Sequence, residues 1–266
     1  MEIVVATPLL QLVQARFLRE LFRASKGGFV LKGGMAVAAL YGTSRQTRDI
    51  DLDFPPLDER TAESLHNQVR RALDQALRGY VVDVKIHSPG KGEISPKWKV
   101  SGRSTDGAPF NLKIEVSRRP PPPGSIRQVT VSGIAALGLG VFYVDLYSEP
   151  TLAAMKIAAL LSSDRCAPRD VYDLDLLLPV NQPGRELLEW ALDVAHVAPI
   201  NASQVLRDKL EAMPWDLFQT QTLPAIESAT ASRYTADTWT EMKDRVAGTL
   251  TPLFETYALE LLETKP

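Results

Sequence analysis

Asp49-Ile50-Asp51-Leu52-Asp53-Phe54 sets carboxylates at every second position with an apolar residue after each. Successive side chains of a β-strand point to opposite faces. The spacing therefore predicts a strand with Asp49, Asp51 and Asp53 on one face and Ile50, Leu52 and Phe54 in a core. Like charges along one strand face repel, so folding alone does not select this pattern. A divalent cation with oxygen ligands relieves the repulsion, and Mg²⁺ typically takes one or two carboxylates plus substrate phosphates. Asp49 and Asp51 are the expected metal ligands, and this strand is where chemistry is expected.

The residues before the strand sharpen that reading. Phe29-Val30-Leu31 is a short apolar run, followed by Lys32-Gly33-Gly34 and the apolar stretch from Met35 to Tyr41. A strand, paired glycines and a helix make a turn whose backbone approaches a phosphate closely, with helix N–H groups aimed at it. The loop Gly42-Thr43-Ser44-Arg45-Gln46-Thr47-Arg48 then carries arginines and hydroxyls up to the acidic strand. Arginine is the side chain suited to gripping a polyphosphate. Lys32, Gly33, Gly34, Arg45, Thr47 and Arg48 are thus the expected nucleotide-binding residues on this side.

Together, the stretch LKGGMAVAALYGTSRQTRDIDLDF (residues 31–54) resembles motif I of the DNA polymerase β-like nucleotidyltransferases: a glycine pair, a helix, then Asp-hydrophobic-Asp on a strand. It looks most like the AbiEii/MenT-type toxins of type IV toxin–antitoxin and phage-defence systems. A second match lies in TLAAMKIAALLSSDRCAPRDVYDL (residues 151–174), where the family's helix lysine, basic loop and Arg-Asp-x-x-Asp-Leu fall on Lys156, Arg165, Arg169-Asp170 and Asp173-Leu174. The resemblance implies an α/β (α+β) fold, with a polymerase β-like nucleotidyltransferase core built on a mixed sheet. It implies an enzyme that moves a nucleoside monophosphate from an NTP, with a pyrimidine nucleotide as one candidate, to RNA. The 3′ end of tRNA is the acceptor it favours, with a block of translation as the outcome. Mg²⁺ as cofactor and a cognate antitoxin encoded nearby follow from the same resemblance. Transfer to a protein or small-molecule hydroxyl, or a non-catalytic nucleotide-binding module, are the alternatives that the residues themselves leave open.

Several assignments carry a plainer alternative. A third carboxylate is sought on a later strand: Glu115, between Ile114 and Val116, and Asp83 compete for it. Glu115 could equally be a solvated strand residue paired with Lys113. Asp53 departs from the superfamily's usual apolar residue and could support the pair without binding metal. Lys156 is the one cation in the run from Leu152 to Leu161; it either offsets charge on a transferred phosphate or snorkels from its helix. Asp170 and Asp173, three apart, share a helical face, while Asp170 could also cap its helix. Arg165, Arg169 and Asp173 complete the expected nucleotide-binding set, and Asp49, Asp51, Lys156, Asp170 and Glu115 the catalytic one.

Composition fits an enzyme with a full core. The chain has 266 residues, 45% hydrophobic and 23% charged, enough for one large domain or a domain with an appendage. One cysteine, Cys166, excludes an intramolecular disulfide and a cysteine-based zinc site, and fits a reducing cytoplasm. Neither an 18-residue apolar stretch nor a basic N-terminal region is present, so no membrane span or signal peptide is expected. The glycine-rich stretch Gly133–Gly140 lacks GxGxxG spacing and a Walker lysine, so it is not read as a nucleotide loop. With a net charge of −2, any grip on RNA must be local. Arg45 and Arg48, then Lys97, Lys99 and Arg103, then Arg118, Arg119 and Arg127 are expected to converge as a basic rim.

Periodicity predicts helices over 8–24 and 57–77, strands over 80–87, 98–103 and 110–116, and a surface loop at the run Pro120–Pro123. Helices follow over 152–162, 185–196, 203–213, 239–248 and 252–264. Trp98 reads as packing, with stacking on a base as its alternative, and Trp190, Trp215 and Trp239 read as packing of the helical domain. The prolines at 179 and 183 suggest a break, giving a nucleotidyltransferase core over 1–183 and a helical domain over 184–266.

Overall fold

The computed structural model describes residues 8–25, 28–42, 45–54, 59–90, 93–131 and 139–263. The chain divides into two compact units, Met1–Pro121 with Ile126–Tyr147, and Pro122–Ser125 with Ser148–Pro266.

The first unit is built on a sheet in the order β3-β4-β5-β2-β1-β7-β6. Its strands are β1 (Val30–Lys32), β2 (Asp49–Asp53), β3 (Val81–His87), β4 (Lys97–Ser104), β5 (Pro109–Ser117), β6 (Ile126–Val131) and β7 (Phe142–Tyr147). The sheet is mixed: β2 runs parallel to β5 and β1 parallel to β7, and the other pairings are antiparallel. β4 and β5 alternate strictly, with Trp98, Val100, Phe110, Leu112, Ile114 and Val116 buried and the residues between them open to solvent or half-buried. That alternation fixes the register, because a one-residue slip would turn every apolar side chain outward.

Helices α1 (Pro8–Ala24), α2 (Gly33–Tyr41) and α3 (Glu59–Leu77) complete this unit. Trp98 meets the ring of His66 on α3 at 5.2 Å, so it is a packing residue. Arg16 of α1 donates to the carbonyls of Gln75 and Ala76 at the end of α3 and lies over the Tyr80 ring. These are carbonyls that a helix end leaves without partners of its own. Gln14, buried on α1, donates to the carbonyls of Thr47 and Arg48 at 3.0 Å and so pins the loop entering β2.

The second unit is helical: α4 (Glu149–Leu161), α5 (Pro168–Leu177), α6 (Arg185–Ala195), α7 (Ala202–Glu211), α8 (Trp215–Gln221), α9 (Ser228–Ala231) and α10 (Ala236–Glu263). Phe218 is stacked between Trp215 and Trp239, and the Trp239 indole donates to the Met213 carbonyl at 2.9 Å. Arg245 on α10 grips Asp175 on α5 through two nitrogens, at 2.8 and 2.9 Å.

Three expectations need correction. The break falls after Tyr147, not near residue 183, because α4 and α5 pack against α6, α7, α8 and α10. Pro179 and Pro183 mark a turn within the helical unit. Strands β6 and β7 were not expected; they flank the glycine-rich stretch, of which residues 133–138 lie outside the described residues. Finally, the helices expected over 239–248 and 252–264 are one helix with Pro252 inside it. Proline there removes one backbone hydrogen bond. The buried stripe Trp239, Met242, Val246, Leu250, Phe254 and Tyr257 keeps helical phase across it, and packing decides.

Candidate active site

Strand register assembles the first cluster. β1 pairs Lys32 with Asp51, β5 pairs Glu115 with Asp51, and β4 pairs Lys97 with Glu115. Directly paired residues share a sheet face, so Lys97, Glu115, Asp51 and Lys32 form one row, plus-minus-minus-plus. The next row is His87, Lys99, Lys113 and Asp49. Lys113 Nζ reaches Asp49 at 3.1 Å and Glu115 at 3.8 Å, and Lys97 Nζ reaches Glu115 at 3.3 Å.

Asp51 is the centre of this arrangement. Burial, then the neighbouring carboxylates Asp49 and Glu115, push its pKa above the ordinary range, and Lys113 and Lys32 offset this only in part. Burial works against the Lys113 ammonium, yet its hydrogen bond to Asp49 and the fields of Asp49, Asp51 and Glu115 raise its pKa. Glu115 is therefore the carboxylate beside the pair. Asp83 lies on β3, separated from β2 by two strands.

The glycine pair has a packing role that the sequence reading did not anticipate. Gly33 has φ +68°, and a Cβ there would lie 2.6 Å from an Asp51 carboxylate oxygen. At Gly34 a Cβ would run into the buried Arg45 guanidinium. Both glycines thus let charged side chains close onto the start of α2. Thr47 donates through its hydroxyl to the Asp49 carbonyl at 3.3 Å, and Arg48 is exposed; Thr43 and Ser44 lie outside the described residues.

Asp53 is set apart from the pair. Its carboxylate, 4% exposed, accepts from Lys32 Nζ at 2.5 Å and from the Tyr147 hydroxyl at 2.7 Å. Burial and the Asp53 charge push the Tyr147 hydroxyl far up, so it remains a donor. Tyr147, which the sequence reading missed, carries no signal beyond its place on β7. Asp53 thereby holds Lys32 beside Asp51.

The second cluster lies within the helical unit. Lys156 of α4 reaches Asp170 at 3.0 Å and Asp173 at 2.6 Å, and Arg165 reaches Asp170 at 2.6 Å. Both carboxylates are fully buried. Burial alone would raise the Asp170 pKa, but Lys156 and Arg165 outweigh it and hold it below the usual range. The N-cap of α5 is Ala167, with no side-chain cap hydrogen bond, and Asp170 is instead paired with these cations. Lys156 is likewise held in this network and does not snorkel to solvent. Lys209 of α7 donates to the carbonyls of Ser162 and Arg165, fixing the loop that carries Arg165. Arg169 is exposed on the first turn of α5.

The donor set fits a hard cation. Asp49 and Asp51 offer paired carboxylate oxygens, and burial together with the Asp49 charge raises the Asp51 pKa. Among the described residues no group of three or more His, Cys, Asp or Glu is arranged to hold a metal ion. A cation here would draw its remaining ligands from water and substrate.

A model of the family "Nucleotidyl transferase AbiEii toxin, Type IV TA system" matches residues 16–259. Among solved structures, JHP933 from Helicobacter pylori is similar at 16% identity and a TM-score of 0.58, covering 98% of this chain and 99% of its own. MenT4, a nucleotidyltransferase toxin from Mycobacterium tuberculosis, is similar at 17% identity and a TM-score of 0.55, covering 94% and 86%. At these identities the two likenesses speak for the fold. A search of curated protein sequences finds no match.

Two stability predictions follow from the clusters. A raised native pKa means that ionising Asp51 opposes folding. The penalty is absent at acid pH, sets in as pH rises past the unfolded value of about 4, and is complete above the native value. Asp51→Asn should therefore gain on the parent protein between acid and neutral pH in urea denaturation; a gap independent of pH overturns this account. Lys156→Met should cost about 3–5 kcal/mol, because the buried carboxylates Asp170 and Asp173 both lose the cation that they share. Arg169→Ala, at an exposed position, should stay within about 0.5 kcal/mol in the same measurement.

Proposed function

Since the chain belongs to the AbiEii family of nucleotidyltransferase toxins, we propose that it transfers a nucleoside monophosphate from an NTP to the 3′ hydroxyl of an RNA, with the tRNA 3′ end as the acceptor. The observation that supports this best is the row Lys97-Glu115-Asp51-Lys32, with Asp49 beside it. It sets the Asp49 and Asp51 carboxylates beside Glu115 and between lysine ammonium groups on one face.

Asp49 and Asp51 would hold Mg²⁺, which when bound would screen the triphosphate and lower the pKa of the incoming hydroxyl. The chain's own groups do the rest by positioning and charge stabilisation, as phosphoryl transfer requires. The backbone N–H groups of Gly33 and Gly34 at the start of α2 receive phosphate oxygens. Arg45, Arg48 and Lys32 add positive charge, and Thr47 steadies the approach to Asp49. Glu115 takes the proton of the attacking 3′ hydroxyl. The hydroxyl oxygen forms a bond to the α-phosphorus as the bond to the β-phosphate oxygen breaks, and pyrophosphate leaves.

Lys156, Asp170 and Asp173 form the ion network of the helical unit. In this reading that network orders the segment from which Arg165 and Arg169 contact nucleotide. A tRNA extended at its 3′ end cannot be charged, which accounts for toxicity. The type IV system supplies an antitoxin partner encoded nearby, opposing the toxin with or without a stable complex. The protein acts in the cytoplasm, where tRNA and NTPs are present; none of the helices described is long and apolar enough to cross a membrane.

Incubation with each α-labelled NTP, Mg²⁺ and total RNA, followed by a denaturing gel, tests the proposal. Label should enter tRNA-sized bands, with a pyrimidine nucleotide as the preferred donor. Asp49→Asn and Asp51→Asn should each reduce labelling at least ~10³-fold while the protein stays folded, on the scale of losing a central electrostatic group. Label found only on protein or small molecules would replace RNA as the acceptor. Undiminished transfer by both variants would remove the metal assignment.

A further inference from the structure

The solvent face of β3, β4 and β5 continues the row of acidic and basic groups away from the carboxylate pair. Below the rows already described, pairing sets Lys85 beside Ser101 and Asn111, and then Arg103 beside Val82. Lys85, His87, Lys97, Lys99, Ser101, Arg103 and Asn111 are all exposed. Residues two apart on a strand are separated by ~6.6 Å, so from Lys97 to Arg103 the face runs ~20 Å along β4.

Charge on this face is distributed in a particular way. Lys97 and Lys113 are engaged with Glu115 and Asp49, and so belong to the candidate active site. Among the described residues, no acidic group forms an ion pair with Lys85, Lys99 or Arg103. Cations crowded on one sheet face raise the energy of the fold, so pairing within the sheet does not account for them. The rim anticipated from sequence is only partly realised. Arg127 lies on β6, at the opposite edge of the sheet from β3 and β4. Lys85 and His87 join the face through β3, whose register shifts between Val82 and Lys85 opposite the exposed end of β4.

We propose that this face is a track for the phosphodiester backbone of the RNA acceptor, leading its 3′ end toward Asp49 and Asp51. The proposal rests on the reading of RNA as the acceptor. Lysine and arginine at strand spacing offer point charges to successive phosphates, and Ser101 and Asn111 between them offer hydrogen bonds to phosphate or 2′-hydroxyl groups. Phe, Tyr and Trp platforms for stacking bases are missing from it, since Trp98 and Phe110 point to the buried face, and the imidazole of His87 is the ring it presents. The recognition is therefore of the backbone, indifferent to sequence, on a protein whose net charge of −2 supplies no general attraction.

The test is the triple variant Lys85→Gln, Lys99→Gln and Arg103→Gln, with Arg71→Gln on α3 plus Arg78→Gln in the turn after it as a control at exposed arginines. Binding of tRNA is followed by fluorescence anisotropy over a salt series, which does not depend on turnover, and transfer is followed by gel. The triple variant should lower the slope of log K against log salt by about two. It should also raise the apparent KM for tRNA about tenfold, with the KM for NTP and the kcat at saturating RNA unchanged. The control should match the parent. If the parent labels tRNA and the triple variant binds and labels it equally well, the track is overturned and the RNA reading stands. If the triple variant instead loses NTP affinity, the face serves the triphosphate and the track is likewise overturned. If the parent neither binds nor labels RNA and labels a protein or small molecule, the acceptor reading falls and the track with it.

Discussion

One carboxylate, Asp51, organises the first unit. It is pressed against Gly33, faces Glu115 across one strand pairing and Lys32 across the other, and stands two residues from Asp49. The backbone at Gly33 adopts a conformation that other residues rarely take, and a Cβ there would displace the carboxylate. The turn before α2, the pairing of β1 with β2 and the parallel pairing of β2 with β5 all have to be right for that contact to form. The arrangement costs folding energy, which the raised pKa of Asp51 registers. Such costs concentrate where a protein acts on something else, because stability alone would select an apolar or neutral residue at this place.

The two clusters treat charge differently. In the helical unit, Lys156 and the half-buried Arg165 match the fully buried Asp170 and Asp173, so each carboxylate has a counter-charge in place. On the sheet, the acids outnumber what their cations neutralise at Asp51, and Lys99, Lys85 and Arg103 continue outward on the same face. Asp53 shows how fine the distinction is. It lies on the same strand as Asp49 and Asp51, yet each of its oxygens is taken, one by Lys32 and one by Tyr147. One strand therefore carries both an acid bound within the sheet and a pair whose charges its cations offset only in part.

Expectations built on spacing held where one strand or one helix settles the matter. The alternation of the acidic strand, the helix from Pro8 to Ala24 and the strands around Trp98 and Ile114 follow from period and apolar content. Expectations built on punctuation fared worse. Pro252 suggested a helix end, but the stripe from Trp239 to Tyr257 keeps phase through it. Pro179 and Pro183 suggested a domain boundary, but α4 and α5 bury their apolar faces among the later helices. β6 and β7 were overlooked: the glycine-rich stretch between them drew the reading, and the alternation in Phe142–Tyr147 is short.

By itself the sequence determined that Asp49 and Asp51 share a face and that a glycine turn precedes them. It also determined that a lysine-bearing helix is followed by an acidic one, because these depend on neighbours within a few positions. Only the tertiary structure decided that Glu115 and not Asp83 stands beside the pair, since strand order is set by pairing between distant segments. It likewise decided that Asp53 belongs to Lys32 and Tyr147, that Lys156 is held by two buried carboxylates, and that Lys85 joins Lys99 and Arg103 while Arg127 does not. The physical reason is the same in each case. A side chain's charge is local to the sequence, but its partner, and hence its pKa and its availability, is fixed by which strand or helix packing sets alongside it.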